Sequence, residues 1–318
     1  MNSDISSLFI HYLFANLKRN GVNGVLETFS QMLQLLFSGL TIGAIYALIA
    51  VGFVVIYNVT GILNFAQGEF AMFGALISIS LVKANVPLWL AILLSIVIVA
   101  VIGCIFERTA IHTARNSSIT TIIIITIGVS ITFRGIALLI WGTQAQTLPP
   151  FTDNKPIQIF DAILLPQNLW AIGLSIIILI FMMYLFNYTF TGKSLTACVV
   201  NPFAARLMGI NLNKMSLLAV VVSASVGALA GTVIAPISGA SYDMGMMLGI
   251  KAFVAAVIGG LTNAPGAIAG AFLIGIIEAF TEGLWSSGLK DVVCFTLLLI
   301  ILFMKPEGLF AKASGKRV

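Results

Sequence analysis

The stretch Gly61-Ile62-Leu63-Asn64-Phe65-Ala66-Gln67-Gly68-Glu69-Phe70 lies inside an apolar run that extends from Leu35-Leu36-Phe37 to Ala75-Leu76-Ile77. Between Glu27 and Lys83, Glu69 is the one charged residue. About 20 apolar residues cross a bilayer, so the run suffices for two crossings. A carboxylate within it costs roughly 2.5–3.5 kcal/mol on insertion scales and marks a candidate functional position. A polar, glycine-bearing interruption at membrane depth points to a transport path rather than to an anchor.

Composition agrees. Of 318 residues, 59% are hydrophobic and 8% charged, against about 25% charged in soluble domains. This excludes a soluble globule. The apolar runs are too long for barrel strands and do not alternate, which excludes an outer-membrane barrel. The expected fold is all-α: a polytopic transmembrane helical bundle of eight to nine membrane segments, including broken or re-entrant helices. The net charge of +5 is spread over loop ends and does not suggest nucleic acid. No leader is evident, because Asn2-Ser3-Asp4 is not a basic n-region. Cys104, Cys198 and Cys294 show no CxxC spacing, and His11 and His112 share no helical spacing, so no metal centre is expected.

Residues 1–32 form an N-terminal extension, in which Ile5 to Leu17 is too short to span and fits an interfacial helix. Spans are expected at 33–58, 61–82, 86–106, 118–141, 168–187, 215–236, 266–285 and 288–304. A shorter apolar piece is expected at 247–260. The transmembrane domain thus covers 33–310, with a polar loop at 188–213 and a basic tail at 311–318. Arg108 and Arg115, then Lys193, Arg206 and Lys214, then Lys305, Lys312, Lys316 and Arg317 share one side if 247–260 crosses. That side is cytoplasmic by the positive-inside rule. Counting back places the N-terminus outside, whereas Lys18 and Arg19 argue for inside. Gly39/Gly43, Gly227/Gly231 and Gly266/Gly270 have the spacing of close-packed helix faces. Gly39-Leu40-Thr41 and Gly260-Leu261-Thr262 hint at an internal repeat.

Three places could carry function. At Asn64, Phe65, Gln67, Gly68, Glu69 and Gly74, amide and carboxylate groups must be paired or face water, and glycine permits an unwound turn. This is either a bend lining a translocation path or a polar patch at the membrane surface with Glu69 snorkelling. The second place is the loop around Asn201-Pro202-Phe203-Ala204-Ala205-Arg206-Leu207-Met208-Gly209-Ile210. Asn201 can cap a helix, Pro202 suits its first turn and Gly209 can end it. Phe203, Leu207 and Met208 then share an exposed face beside Arg206, fit either for a groove in a partner or for a lipid surface. Upstream, Gly192-Lys193-Ser194 is not a phosphate-binding loop, because Asn187 stands where that motif needs glycine. The third place is the interruption holding Gly259, Gly260, Asn263 and Pro265. Lys251 and Glu278 flank it as a structural ion pair or as groups near the interfaces.

These blocks carry a resemblance. Gly43-Ala44-Ile45-Tyr46-Ala47-Leu48-Ile49-Ala50-Val51-Gly52, with Asn64-Phe65-Ala66-Gln67-Gly68-Glu69 and Met72-Phe73-Gly74-Ala75, resembles the start of the LivH-type permeases of branched-chain amino-acid ABC importers. Ala205-Arg206-Leu207-Met208-Gly209-Ile210-Asn211 is similar to that family's cytoplasmic coupling segment, and Ala252-Phe253 through Gly259-Gly260 and Pro265-Gly266-Ala267 to its C-terminal signature. The resemblance implies a multi-pass permease of the bacterial cytoplasmic (inner) membrane, without cofactor or catalytic residues. It implies a second, LivM-type permease, two ATP-binding cassette subunits that hydrolyse the ATP, and a periplasmic substrate-binding protein as partners. It implies import of leucine, isoleucine or valine. A urea or short-amide importer, and a standalone secondary carrier, are the alternatives.

Overall fold

The computed structural model describes residues 2–114, 117–153, 155–159, 162–306 and 308–310, and for residues 2–28, 158, 159, 162, 199, 200 and 202 the backbone alone. Helix α1 (Asn2–Thr60) runs without a break through the expected boundary at residue 32. Then follow α2 (Gln67–Lys83), α3 (Leu88–Phe106), a π-helical turn (Glu107–Ile111) and α4 (Ile119–Trp141). A small antiparallel hairpin of β1 (Ile157–Ile159) and β2 (Ala162–Leu164) precedes α5 (Pro166–Tyr188). The short helices α6 (Phe190–Val200) and α7 (Pro202–Leu207) lead into α8 (Leu212–Ser238), α9 (Met244–Gly259), α10 (Ala264–Leu284) and α11 (Lys290–Met304).

Among the described residues, seven helices are long and apolar enough to cross a membrane, the first counted from Phe29. Helices α2 and α9, of 17 and 16 residues, fall short of a full span. Both follow a long helix that stops at a glycine of positive φ, Gly61 (+68°) after α1 and Gly239 (+77°) after α8. Such backbone is open to glycine and strained for other residues. In each case the chain then turns back into the bundle as non-helical backbone before the short helix begins. Counting these two broken crossings, the described residues make nine passages.

Contacts fix the two faces. The Asn58 amide donates to the Thr262 carbonyl (3.3 Å), Leu309 N donates to Ile258 O (2.8 Å) and Asn263 Nδ2 donates to Phe310 O (2.7 Å). The ends of α1, α9 and α11 therefore lie together on the face that carries α7. On the opposite face Lys83 donates to Gln146 (2.8 Å), and Gln146 bridges to Ala240. Leu35, near the start of the buried part of α1, packs under Gly283 at the end of α10. The Phe29 end of α1 thus lies opposite α7. Arg108, Lys193, Arg206, Lys214 and Lys305 all follow spans that end at the α7 face, or precede one that starts there. These five cations gather at the α7 face, and Lys83, Lys155 and Lys290 belong to segments at the opposite one.

Glycine decides which helices sit inside. Gly39 and Gly43 of α1 meet the backbone of α10 at Gly275–Ile276 and Ala271–Phe272. Gly231 of α8 meets Ala71 of α2, with Gly227 close to Phe70, and Gly270 of α10 meets α9 at Ala255 and Gly259. Close backbone approach stands in for the hydrophobic effect in lipid. The inner helix α1 is 89% buried over its most apolar window, whereas α11 is 6% buried. The arrangement is an inverted repeat. Helix α1 packs on α10 as α8 packs on α3, and α2 packs on α8 as α9 packs on α1. The pairs α1/α8 and α2/α9 meet each other. The set α1–α4 therefore corresponds to α8–α11 with opposite direction. Gly39-Leu40-Thr41 in α1 and Gly260-Leu261-Thr262 after α9 do not occupy equivalent places, so that hint had the wrong register.

Candidate functional site

The first turns of α2 and α9 meet inside the bundle. Gly68 lies against Gly245 and Gly249, and a Cβ on Gly68 would stand 2.7 Å from the Gly249 Cα. Two helix N-termini therefore converge there, each with its partial positive charge. Glu69, about 20 Å along α2 from Lys83, points into this junction and is 1% exposed. Its Oε1 accepts from the Ser130 hydroxyl (2.8 Å) and lies 3.4 Å from Arg134 Nε on α4. Its Oε2 is buried beside Gly245 without a hydrogen-bond partner. Arg134 Nε is likewise buried and without one, and Nη1 reaches the Met246 thioether (3.0 Å). Glu69 is thus a buried group and not a snorkelling one.

The neighbours hold α2 in place. Gln67 is fully buried; its amide donates to Ser223 O (3.2 Å), and the Ser223 hydroxyl reaches its Oε1 (2.7 Å) and Gly52 O (2.9 Å). One amide thereby ties α2 to both α8 and α1. Asn64 Oδ1 accepts from Ala66 N (3.0 Å), closing the turn before α2, while its Nδ2 is buried without a partner. Phe65 N donates to the Thr126 hydroxyl (3.3 Å), and the Phe65 ring packs on Phe253 of α9 at 5.5 Å. Gly74 lets α2 approach the Ala228 backbone on α8.

The second group of path residues lies elsewhere. Gly259 packs on Gly266 and Ala267, and Gly260 turns the chain with φ +102°. Asn263 and Pro265 line a cavity of about 550 Å³ at the α7 face, shared with Val55, Asn58, Met182 and Thr262. The cavity reaches up α1 to Val51, but none of Asn64, Phe65, Gln67, Gly68, Glu69 and Gly74 lines it. The structure does not bring the two groups together.

At α7, Asn201 Oδ1 accepts from Phe203 N (3.1 Å) and Ala204 N (3.0 Å), Pro202 sits in the first turn, and Gly209 adopts φ +82° just past the end. Ala205 is buried against Cys198 and Leu212, with Ile210 alongside. Arg206 is exposed, as are Phe203 (71%), Leu207 (74%) and Met208 (83%). A helix anchored by one small residue and presenting three large apolar ones suits docking more than self-packing.

A second charged cluster emerges where the sequence offered Lys251 and Glu278 alone. Lys251 Nζ on α9 contacts Glu278 Oε1 on α10 (2.5 Å) and Asp291 Oδ1 on α11 (2.8 Å), while Tyr46 of α1 donates to Glu278 Oε2 (2.8 Å). Of the two open readings for Lys251 and Glu278, the ion pair is the one present. Ser130 and Met246 had no sequence signal, and Arg134 had only its charge within a span. Among the described residues no cluster of three metal-ligating side chains occurs.

Comparison with known proteins places this geometry. Residues 35–302 match the family of the branched-chain amino acid transport system, permease component. The chain belongs to this family. The high-affinity branched-chain amino acid permease protein LivH of Escherichia coli K12 is 31% identical over 308 residues, covering 92% of this chain and 99% of that protein. BraD of Pseudomonas aeruginosa, named for the same kind of system, is 31% identical over 300 residues, covering 90% and 98%. Among solved structures, PsaBC from Streptococcus pneumoniae in complex with Fab aligns with a TM-score of 0.49 at 13% identity, covering 94% of this chain and 97% of that one. As a member of a permease family with seven apolar spanning helices, the chain is a multi-pass inner-membrane permease component of a larger transport system.

Proposed function

We propose that this chain is the permease subunit of an ATP-driven importer of leucine, isoleucine and valine, and that it forms the path by alternating access with a second, LivM-type permease. The family match over residues 35–302 carries this reading, supported by relatives of matching length named for branched-chain amino acid transport. A periplasmic binding protein delivers the solute, and two ATP-binding subunits supply the energy. Gly192-Lys193-Ser194 opens a helix directly after a membrane span, which is the wrong setting for a phosphate loop.

The foot formed by α7 is the proposed contact with an ATP-binding subunit. Force on α7 reaches α8 through Ala205, Ile210 and Leu212. Helix α8 holds α2 through Ser223, Gly227 and Gly231, so a tilt of α8 shifts Gln67, Gly68 and Glu69. The cavity at Asn263 and Pro265 serves as the inward vestibule of the same path.

Co-purification and coupling test this. Two ATP-binding subunits are expected to accompany the chain from membranes. Arg206→Ala combined with Gly209→Ala, the latter forcing a side chain into positive φ, is expected to lower uptake by about tenfold or more while ATP hydrolysis and membrane insertion persist. Unchanged uptake in that variant contradicts the docking role. Uphill transport by the purified chain alone indicates a standalone carrier.

A further inference from the structure

The junction of α2 and α9 holds a carboxylate and a guanidinium whose bonding capacity is only part used. Glu69 Oε2 is buried and has no hydrogen-bond partner. A buried carboxylate oxygen left bare is costly, because desolvation is not offset. Arg134 carries five N–H donors. Among the described residues its Nε makes no hydrogen bond, and Nη1 meets a thioether, a weak acceptor. The Glu69–Arg134 separation of 3.4 Å at Nε is longer than a charge-assisted hydrogen bond. The pair thus faces each other without closing on each other, beside two helix N-termini that favour a further anionic group.

We propose that Glu69 and Arg134 read the head group of a zwitterionic α-amino acid in transit, Glu69 Oε2 accepting from the ammonium and Arg134 donating to the carboxylate. This rests on the importer reading above and names the chemistry of its path. The charges required are one of each sign within a few ångströms, which is what an α-amino acid presents. A single buried anion or cation would suit an ion instead. The glycines at 68, 245 and 249 carry no side chain between α2 and α9 and let the two backbones close on each other beside the pair, so the head group enters as these helices part. Met246 and Met247 on the first turns of α9 are half exposed and give an aliphatic side chain an adaptable apolar surface. Glu69 is closed off while Arg134 keeps 24% of its side chain exposed, so the guanidinium is the first group met by an approaching solute.

The test is uptake of radiolabelled L-leucine by the complete transport complex in proteoliposomes, with binding protein and ATP, for Glu69→Gln, Arg134→Gln, the double variant and Arg134→Lys. Each single neutral variant is expected to lower uptake about 10- to 100-fold, the loss of one charged hydrogen bond. The double is expected to be no better than either single. Arg134→Lys, which keeps the charge and disturbs folding least, is expected to raise KM about fivefold or more, because the fork that holds a carboxylate is lost. Recovery of wild-type uptake in the double variant would show that the pair only balances charge, and would overturn the proposal. So would an unchanged KM in Arg134→Lys, which stays decisive if the neutral variants fail to assemble. If the wild-type complex hydrolyses ATP with its binding protein yet takes up no branched-chain amino acid, the importer reading itself fails. Normal wild-type uptake with silent variants removes this inference alone.

Discussion

Two buried charge clusters sit in the two halves of the inverted repeat, and they are finished to different degrees. Around Lys251 every oxygen of Glu278 has a partner, one from the ammonium and one from the Tyr46 hydroxyl, while Asp291 Oδ1 lies 2.8 Å from the same nitrogen as an ion pair and makes no hydrogen bond. Four helices are pinned there: α1, α9, α10 and α11. Around Glu69 one carboxylate oxygen and one guanidinium nitrogen remain bare in the interior. A closed cluster holds helices together, whereas an open one keeps capacity for a visitor. The contrast separates a clamp from a candidate solute site more sharply than burial does, since Glu69 (1% exposed) and Glu278 (3%) are equally hidden.

The largest expected effect attacks the clamp. Lys251→Met leaves Glu278 and Asp291 facing each other without a cation, and breaking a buried pair from one side costs about 3–5 kcal/mol. The amount of chain recovered from membranes, and the thermal midpoint of the detergent-solubilised complex, should both fall steeply. Wild-type levels would mean that the clamp is dispensable. Next comes the packing that aligns the open site. Gly231→Val drives a branched side chain into the Ala71 backbone and should destabilise by about 1–3 kcal/mol or more. Its control is Gly128→Ala on α4, which has nothing within 4 Å. That change should alter stability by no more than about 1 kcal/mol, in the favourable direction. Equal losses at Gly231 and Gly128 would contradict the assignment of α8 to the interior and α4 to the rim.

The sequence carried the inventory of helices well, because a run of about 20 apolar residues has few other uses. The foot was also legible down to its ends, since Asn201 and Gly209 act through local backbone chemistry. What stayed hidden was which faces meet. In lipid both the buried and the lipid-facing sides of a helix are apolar, so no hydropathy stripe marks the interior. Small residues mark it instead, as Gly39, Gly43 and Gly231 do, but they do not name their partner. Tyr46 and Asp291 lie far from Lys251 in sequence, and Tyr46 looked like any aromatic in a span. The start of α9 was legible only to within a few residues. The apolar piece was expected from 247, yet the helix starts at Met244, so the approach of Gly245 to Gly68 could not be foreseen. The repeat was masked for a similar reason: its shared feature is a positive-φ glycine before a short helix, not a shared string of residues.

The contrast between the clusters is tested most directly by measuring leucine uptake per assembled complex for Glu69→Gln and Glu278→Gln side by side, with the complex quantified in the same membranes. Opening of the clamp should reduce how much complex is present while each assembled complex still transports within about twofold of wild type. Neutralising Glu69 should leave assembly near normal and remove most of the transport. The reverse pattern, with Glu278→Gln well assembled but inactive and Glu69→Gln poorly assembled but active per complex, would contradict the assignment of both clusters.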